Sequence, residues 1–132
     1  MPLSSSDPSA LHDPAGFGDS HVARVTSGEL VLIAGQYACD HEGQVTTSDF
    51  AGQVDQAPAN LGHALESAGP GYWDVAQLPT FIVDHDEQKL GNLADALRRI
   101  RGDEPPPQRL LGVAALALPG MRFEVDAVAV RP

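Results

Sequence analysis

Short apolar and β-branched runs, bounded by glycine or proline, recur along the chain after residue 20 and predict strands. The first two, His21 to Val25 and Glu29 to Gln36, flank a glycine turn at residues 26–28, and this arrangement predicts a β-hairpin. Three further strands are predicted, namely Val75 to Val83, Gln108 to Leu118 and Met121 to Val130. The tight turn Pro119-Gly120 joins the last two.

Two other segments have the apolar period of a helix. The first is marked by apolar residues spaced alternately by four and three, which are Phe50, Val54, Ala57, Leu61, Ala64 and Ala68. Thr47 or Ser48 is its expected N-cap, and Gly69-Pro70 ends it. The second runs from about Asp86 to Arg101, and Gly102 follows as its C-cap.

Two prolines interrupt these patterns. Pro58 lies inside the first helix, where it lacks a backbone donor and clashes with the preceding turn, so a kink or a restart is expected. Pro79 lies inside the third strand and cannot donate to a ladder, which predicts an edge position or a bulge there.

The order of elements, ββ, α, β, α, ββ, predicts an α+β fold whose two helices cover one face of a sheet of five or six strands. A chain of 132 residues suits one domain, and residues 1–18, rich in Ser, Pro, Asp and Gly, are expected to form an irregular arm. Small apolar residues in the last two strands favour packing against another copy; these are Ala114, Ala115, Ala117, Ala127 and Ala129.

Net charge narrows the classes of partner. Eighteen Asp and Glu residues stand against eight Lys and Arg, so the formal charge of −10 would repel a phosphate backbone. The one cationic cluster, Arg98, Arg99 and Arg101, lies at the end of the second helix, where cations complement the helix dipole. We therefore expect no nucleic-acid partner.

The chain also shows no membrane or secretory pattern. Nowhere do ~18 apolar residues run together, and residues 1–20 lack a basic start and an apolar run. The single cysteine, Cys39, excludes an internal disulfide and fits a reducing compartment. A cytoplasmic protein with no membrane partner is the expectation.

The sequence contains no phosphate loop, no Cys/His metal spacing and no nucleophile elbow, so no metal and no cofactor are expected. Cys39 is interpreted as a small residue near a strand end, and Asp40-His41-Glu42-Gly43 as a polar turn rather than a metal site. Any chemistry must then come from isolated polar residues on apolar strands.

Arg109 and Glu124 are the main candidates for such chemistry. Arg109 follows a stiff proline run and could clamp a carboxylate with two parallel donors, or else pair with an acid of the core or of an interface. Glu124 alternates with apolar residues, so Arg122, Glu124 and Asp126 share one strand face, which can equally be an ordinary solvated face. His21 is either a surface residue or a base.

Several short motifs resemble the RidA/YjgF/UK114 family in order and spacing between about His21 and Arg131. They are Val31-Leu32-Ile33-Ala34-Gly35-Gln36, the helix Gln53 to Gly69 with Asn60, Trp73-Asp74-Val75, Asn92, Pro107-Gln108-Arg109 and Phe123-Glu124-Val125-Asp126-Ala127-Val128-Ala129. The resemblance implies a chorismate-mutase-like α+β fold with a mixed sheet of about six strands and two helices packed on one face. It also implies a homotrimer with a small-molecule pocket between neighbouring subunits.

The resemblance assigns roles to matching residues. It implies that Arg109 binds the carboxylate of the substrate, that Glu124 positions the attacking water, that Gly35 makes a backbone contact and that Asn92 occupies a polar position. The implied reaction is hydrolysis of 2-imino or enamine acids to 2-keto acids and ammonia without a cofactor.

Three departures from the family pattern bear on this activity. His21 stands where deaminating members usually have tyrosine, Ala34 replaces a serine, and Leu110-Leu111 replaces Ser-Cys after the arginine. The pocket is therefore expected to be more apolar and to suit a bulkier imino acid. The alternatives are a non-deaminating small-molecule binding or specialised-pathway protein of the same fold, and nucleic-acid cleavage, which the charge disfavours.

Overall fold

A computed structural model describes residues 2–132. Its strands and longer helices are β1 (Leu3–Ser6), β2 (Val22–Val25), β3 (Glu29–Gln36), α1 (Phe50–Ala68), β4 (Val75–Val83), α2 (Glu87–Arg101), β5 (Gln108–Val113) and β6 (Phe123–Arg131). Short 3-10 helices at Ala15–Phe17 and Tyr72–Asp74 complete the order. The predicted β4 and α2 are confirmed, including Gly102 as the C-cap of α2, whose N-cap is Asp86.

Four strands form a mixed sheet in the order β3-β6-β4-β5, in which only β4 and β5 are parallel. Both helices pack on one face of this sheet. Leu61 and Leu65 of α1 and Leu93 of α2 join Phe123 and Val125 of β6 in one buried core. The predicted α+β class, with two helices on one face, is confirmed, and the six strands divide into this sheet and a separate β1-β2 ribbon.

The predicted hairpin between the first two strands was wrong. β2 pairs with β1, and β3 enters the sheet beside β6. The glycine of the turn explains the path, because a Cβ on Gly28 would lie 2.6 Å from Val130 Cγ1 and the residue has φ +102°. The turn therefore packs against the end of β6, and the N-terminal arm is not irregular throughout, since it contributes β1.

The last two strands do not form a hairpin either. β5 ends at Val113 and pairs only with β4, while residues 114–122 form an irregular connection. The buried Gln53 side chain of α1 holds this connection: its Nε2 donates to Gly120 O and its Oε1 accepts from Arg122 N, both at 2.8 Å. These side-chain bonds hold the backbone that leads into β6 against α1.

The alanines proposed as a surface for another copy lie elsewhere. Ala127 and Ala129 are buried under the helices, and Ala114, Ala115 and Ala117 belong to the connection. The sequence argument for oligomerisation from these residues was therefore wrong, because it assumed that small residues on β6 faced away from the helices.

The two prolines are accommodated without the expected breaks. α1 is one helix from Phe50 to Ala68, so no restart occurs at Pro58, whose carbonyl accepts a hydrogen bond from the Tyr72 hydroxyl. β4 lies inside the sheet rather than at its edge, and its register shift falls between Val75 and Gln77. The edge position predicted from Pro79 was wrong, because β4 pairs with β6 on one side and with β5 on the other.

The N-cap of α1 is Asp49, not Thr47 or Ser48. Its Oδ2 accepts a hydrogen bond from Gly52 N at 3.1 Å. The Thr47 hydroxyl instead accepts a hydrogen bond from Asp49 N, and this bond fixes the loop just before the helix.

Arg101, expected to complement the helix dipole at the end of α2, also makes specific contacts there. It is buried, and its guanidinium donates to the carbonyls of Glu104, Tyr72 and Val75 at 2.9, 3.0 and 3.2 Å. It therefore anchors the end of α2 to the entry of β4.

Candidate functional site

The sheet face away from the helices, here called the open face, carries the candidate chemistry. Because side chains alternate along a strand, the residues between the core positions point to this side. They include Leu30, Leu32, Ala34, Gln77, Pro79, Phe81, Arg109, Leu111, Glu124, Asp126 and Val128. Leu30 and Leu32 are 63% and 75% exposed.

Arg109 stands on β5 beside Pro79 of β4. The strand entry is fixed, since the backbone N–H of Gln108 donates to Asp19 Oδ1 at 2.8 Å and the Gln108 side chain donates to Gly18 O. Within residues 2–132 the exposed guanidinium has no hydrogen-bond or salt-bridge partner. It is free to bind a carboxylate through two parallel donors.

Glu124 stands on β6 beside Phe81, and Gly35 makes room for it. A Cβ on Gly35 would lie 1.7 Å from Glu124 Oε1, so only glycine leaves the carboxylate its place. Gly35 lies where the register of β3 and β6 shifts, between Ile33 and Gln36. Gly35 thus approaches the Glu124 carboxylate closely, and the backbone contact with a substrate expected for it stays a prediction.

The electrostatic setting of Glu124 favours its protonated form. Burial raises the pKa of this carboxyl, and the charge of Asp126 raises it further. No side chain or backbone group of the described chain donates a hydrogen bond to it. A carboxylate whose pKa is raised in this way is a stronger proton acceptor than an ordinary glutamate.

Three residues of this site were missed as site residues by the sequence analysis. Asp126 was placed on the same face as Glu124 but was not singled out, and Phe81 lies directly between Leu111 and Glu124 in the sheet. Tyr37 is the third, since it follows Gly35 and Gln36 directly after β3, and burial, then Cys39 and Asp40, and then Glu124 raise its pKa. Cross-strand register, which the sequence does not display, brings Asp126 and Phe81 to the site.

Arg122 does not join the cluster, although alternation had placed it with Glu124. Arg122 precedes β6, which begins at Phe123, and its Nε donates to Ser48 O at 3.0 Å. Leu111 and Ala34 do lie on the open face, and both are exposed.

His21 and Asn92 are not brought to Glu124 in this chain. His21 Nε2 lies 2.8 Å from His12 O, and its backbone N–H donates to Asp7 Oδ1. Asn92 is exposed on α2, which packs on the other face of the sheet. A contact of Asn92 with the open face would require a second copy.

Within residues 2–132, no three His, Cys, Asp or Glu side chains are grouped to hold a metal ion. No helix there has the length and apolarity needed to cross a membrane.

Two helices over one side of a mixed sheet, and an arginine with two unpaired carboxylates on the other, define a small α+β protein with a polar site on an otherwise apolar face. The chain belongs to the family described as endoribonuclease L-PSP, whose model matches residues 15–131. The membership of the RidA/YjgF family expected from the sequence is thereby confirmed.

Individual relatives agree with this placement. A 2-iminobutanoate/2-iminopropanoate deaminase of Rattus norvegicus is 27% identical over 119 residues, which cover 89% of this chain and 84% of that protein. The deaminase of Bos taurus is 29% identical over the same coverage. A Rid-family protein of unknown function from Yersinia pestis, YyfB, superposes with a TM-score of 0.92 at 32% identity, covering 98% of this chain and 99% of that one.

Proposed function

We propose that this protein hydrolyses 2-imino acids, or their enamine tautomers, to 2-keto acids and ammonia on the open face. The observation that carries the proposal is that an unpaired arginine and a partly buried, unpaired carboxylate share that face, while Gly35 clears the space for the carboxylate. The names of the rat and bovine relatives support the same reaction.

Arg109 binds the carboxylate of the substrate and so fixes the position of its imine carbon. The Glu124 carboxylate accepts a proton from water while the water oxygen forms a bond to that carbon and the imine π-electrons move to nitrogen. Glu124 returns that proton to nitrogen, which gives the neutral carbinolamine. Glu124 then carries the hydroxyl proton of the carbinolamine to the same nitrogen, so that the C–N bond breaks and ammonia leaves as the carbonyl forms. No cofactor takes part.

We further propose that a homotrimer completes the site in clefts between its subunits. Leu30 and Leu32 expose large apolar surfaces beside the charged residues, and covering such a surface with another copy removes it from water. His21 and Asn92 from a neighbouring subunit would then reach the cleft.

The apolar side chains around the site favour a bulky substrate. Leu111 and Phe81 stand in one row with Glu124, and Ala34 lies on the neighbouring β3. A hydroxyl-poor pocket of this kind holds an apolar imino acid better than a small one.

A non-deaminating binding protein with the same fold is the second candidate, and the departures at His21, Ala34 and Leu111 favour it. Nucleic-acid cleavage, which the family description names, is disfavoured by the charge of −10.

The test is the rate of imine loss, with 2-imino acids generated in situ from several amino acids by an amino acid oxidase. We expect the protein to accelerate the loss of bulky apolar imines, and we expect Arg109→Ala to reduce kcat/KM roughly 10²-fold. Arg98→Ala is the control, because Arg98 is exposed on α2 and pairs with Asp95.

Two results would contradict the proposal. No acceleration with any imine, from folded protein, would favour the binding protein instead. Equal rates for Arg109→Ala and Arg98→Ala would remove Arg109 from the mechanism.

A further inference from the structure

We propose that Asp126 is a positioning residue of this site, whose charge orients the Arg109 guanidinium across Pro79 and places a second negative charge beside Glu124. The inference rests on the proposed function, since it assigns a role within the same reaction.

The strand register places Arg109 and Asp126 on either side of Pro79. Pro79 pairs with Arg109 of β5, and the pairs Gln77–Val128 and Thr80–Val125 place Asp126 on the other side of Pro79. Arg109 and Asp126 are therefore two strands apart, about 10 Å between their backbones. A long arginine side chain can cross a small proline ring over that distance, while a short aspartate fixes the far end.

The pairing of the other cations supports the same assignment. Lys89, Arg98, Arg99 and Arg131 have acidic partners, Arg122 binds Ser48 O, and Arg101 is buried among carbonyls. Of the cations in the described chain, Arg24 of β2 and Arg109 have no such partner. Arg109 is the cation whose charge acts on Asp126, and it lowers a pKa that burial raises. The two side chains form no direct ion pair within 4.0 Å in the described chain, so the guanidinium keeps its donors for the substrate.

Glu124 lies two residues before Asp126 on the same face of β6. Side chains at that spacing lie about 7 Å apart. Around Glu124, β6 contributes Asp126, the segment after β3 contributes Tyr37, and β4 contributes the uncharged Phe81. Asp126 is thus the charged neighbour that raises the proton affinity of Glu124, which aids proton acceptance from the attacking water.

Three variants test the inference, and two readouts are needed. Asp126→Asn keeps the shape and removes the charge, Asp126→Glu keeps the charge, and Asp95→Asn removes an equivalent charge from the exposed surface of α2. The readouts are the pH profile of kcat/KM for imine hydrolysis, and calorimetric binding of a 2-keto acid, which does not require turnover.

For Asp126→Asn we expect the acidic limb of the pH profile to move to lower pH, because Glu124 loses a negative neighbour. We expect binding of the 2-keto acid to weaken about fivefold, because Arg109 is less well placed. Asp126→Glu should restore the pH limb, and Asp95→Asn should match the native protein in both readouts.

An unchanged acidic limb in Asp126→Asn would overturn the inference. So would tighter binding of the 2-keto acid, which would mean that Asp126 only competes with the substrate for Arg109. If the native protein hydrolyses no imine but Asp126→Asn still weakens 2-keto acid binding, the reaction proposed above fails and the positioning role stands. Absence of 2-keto acid binding by the native protein overturns both.

Discussion

Gly35 is the residue whose replacement tests the geometry of the site most directly. A methyl group there would occupy the position of Glu124 Oε1, 1.7 Å away, and would lie 2.6 Å from the carboxyl carbon. We expect Gly35→Ala to displace the carboxylate and lower kcat/KM for imine hydrolysis roughly 10²-fold, with the fold retained.

Gly91→Ala provides the matched control for this change. It introduces the same methyl group on α2, where a Cβ would meet nothing within 4 Å. The control should retain full activity and gain about 1 kcal/mol of stability from helix propensity. Full activity in Gly35→Ala would show that Glu124 need not occupy this position.

The raised pKa of Glu124 also predicts a cost in stability. Because the folded protein holds the proton more tightly than the unfolded chain does, stability is lost as the pH rises from the ordinary pKa to the raised one. We therefore expect Glu124→Gln to be more stable than the native protein at pH ~7, and the difference to vanish below the ordinary pKa.

Urea denaturation at several pH values and one protein concentration measures this difference. Glu66→Gln, on the exposed surface of α1, serves as the control for loss of a carboxylate. A gain in stability for Glu124→Gln that does not depend on pH would contradict the linkage.

Only part of the site could be predicted from residues in isolation. Arg109 and Glu124 were identified through the family resemblance, and the alternation on β6 placed Asp126 beside Glu124. The position of Pro79 between Arg109 and Asp126 depends on the register of β4, β5 and β6, and β4 is distant in sequence from the other two. Local patterns do not determine such register, because it is set by packing between strands.

At the scale of elements, the sequence predicts where strands and helices lie better than it predicts their partners. β4 and α2 were located closely, because their apolar periods are local. Both predicted hairpins were wrong, because β2 pairs with β1 and β5 pairs with β4. A turn glycine shows that the chain reverses, but burial elsewhere decides which strand lies beside which.

Gln53 illustrates an element contact that periodicity misses. This buried side chain donates to Thr47 O and Gly120 O and accepts from Arg122 N, each at 2.8 Å. We expect Gln53→Met, which keeps the volume but removes these bonds, to lower the free energy of unfolding by about 2–4 kcal/mol in urea titrations.

Gln56→Met, one turn later and exposed, is the control and should change stability little. Equal stability of the two variants would mean that the connection of residues 114–122 does not need Gln53 to dock on α1.

At the scale of the whole molecule, the open face is the side of the sheet that α1 and α2 leave uncovered. The opposite face is covered by α1 and α2, whereas Leu30, Leu32 and Leu111 remain largely exposed. Burying a leucine fully stabilises an assembly by about 1.5–3 kcal/mol, and a trimer repeats that gain in each copy. Covering the face would also exclude water from Arg109 and Glu124, which strengthens their interactions with a substrate.

Leu32 is the most exposed large apolar side chain of the open face, at 75%, so a charged replacement there tests whether this face is covered by another copy. Leu32→Asp should convert a trimer into monomers and abolish imine hydrolysis, because an aspartate cannot be buried between subunits without a partner. Light scattering after size-exclusion chromatography measures the mass, and Leu11→Asp, on a 52% exposed leucine outside the open face, is the matched control. A native mass of one chain at micromolar concentration, or an unchanged trimer in Leu32→Asp, would mean that this face completes the site without a neighbouring subunit.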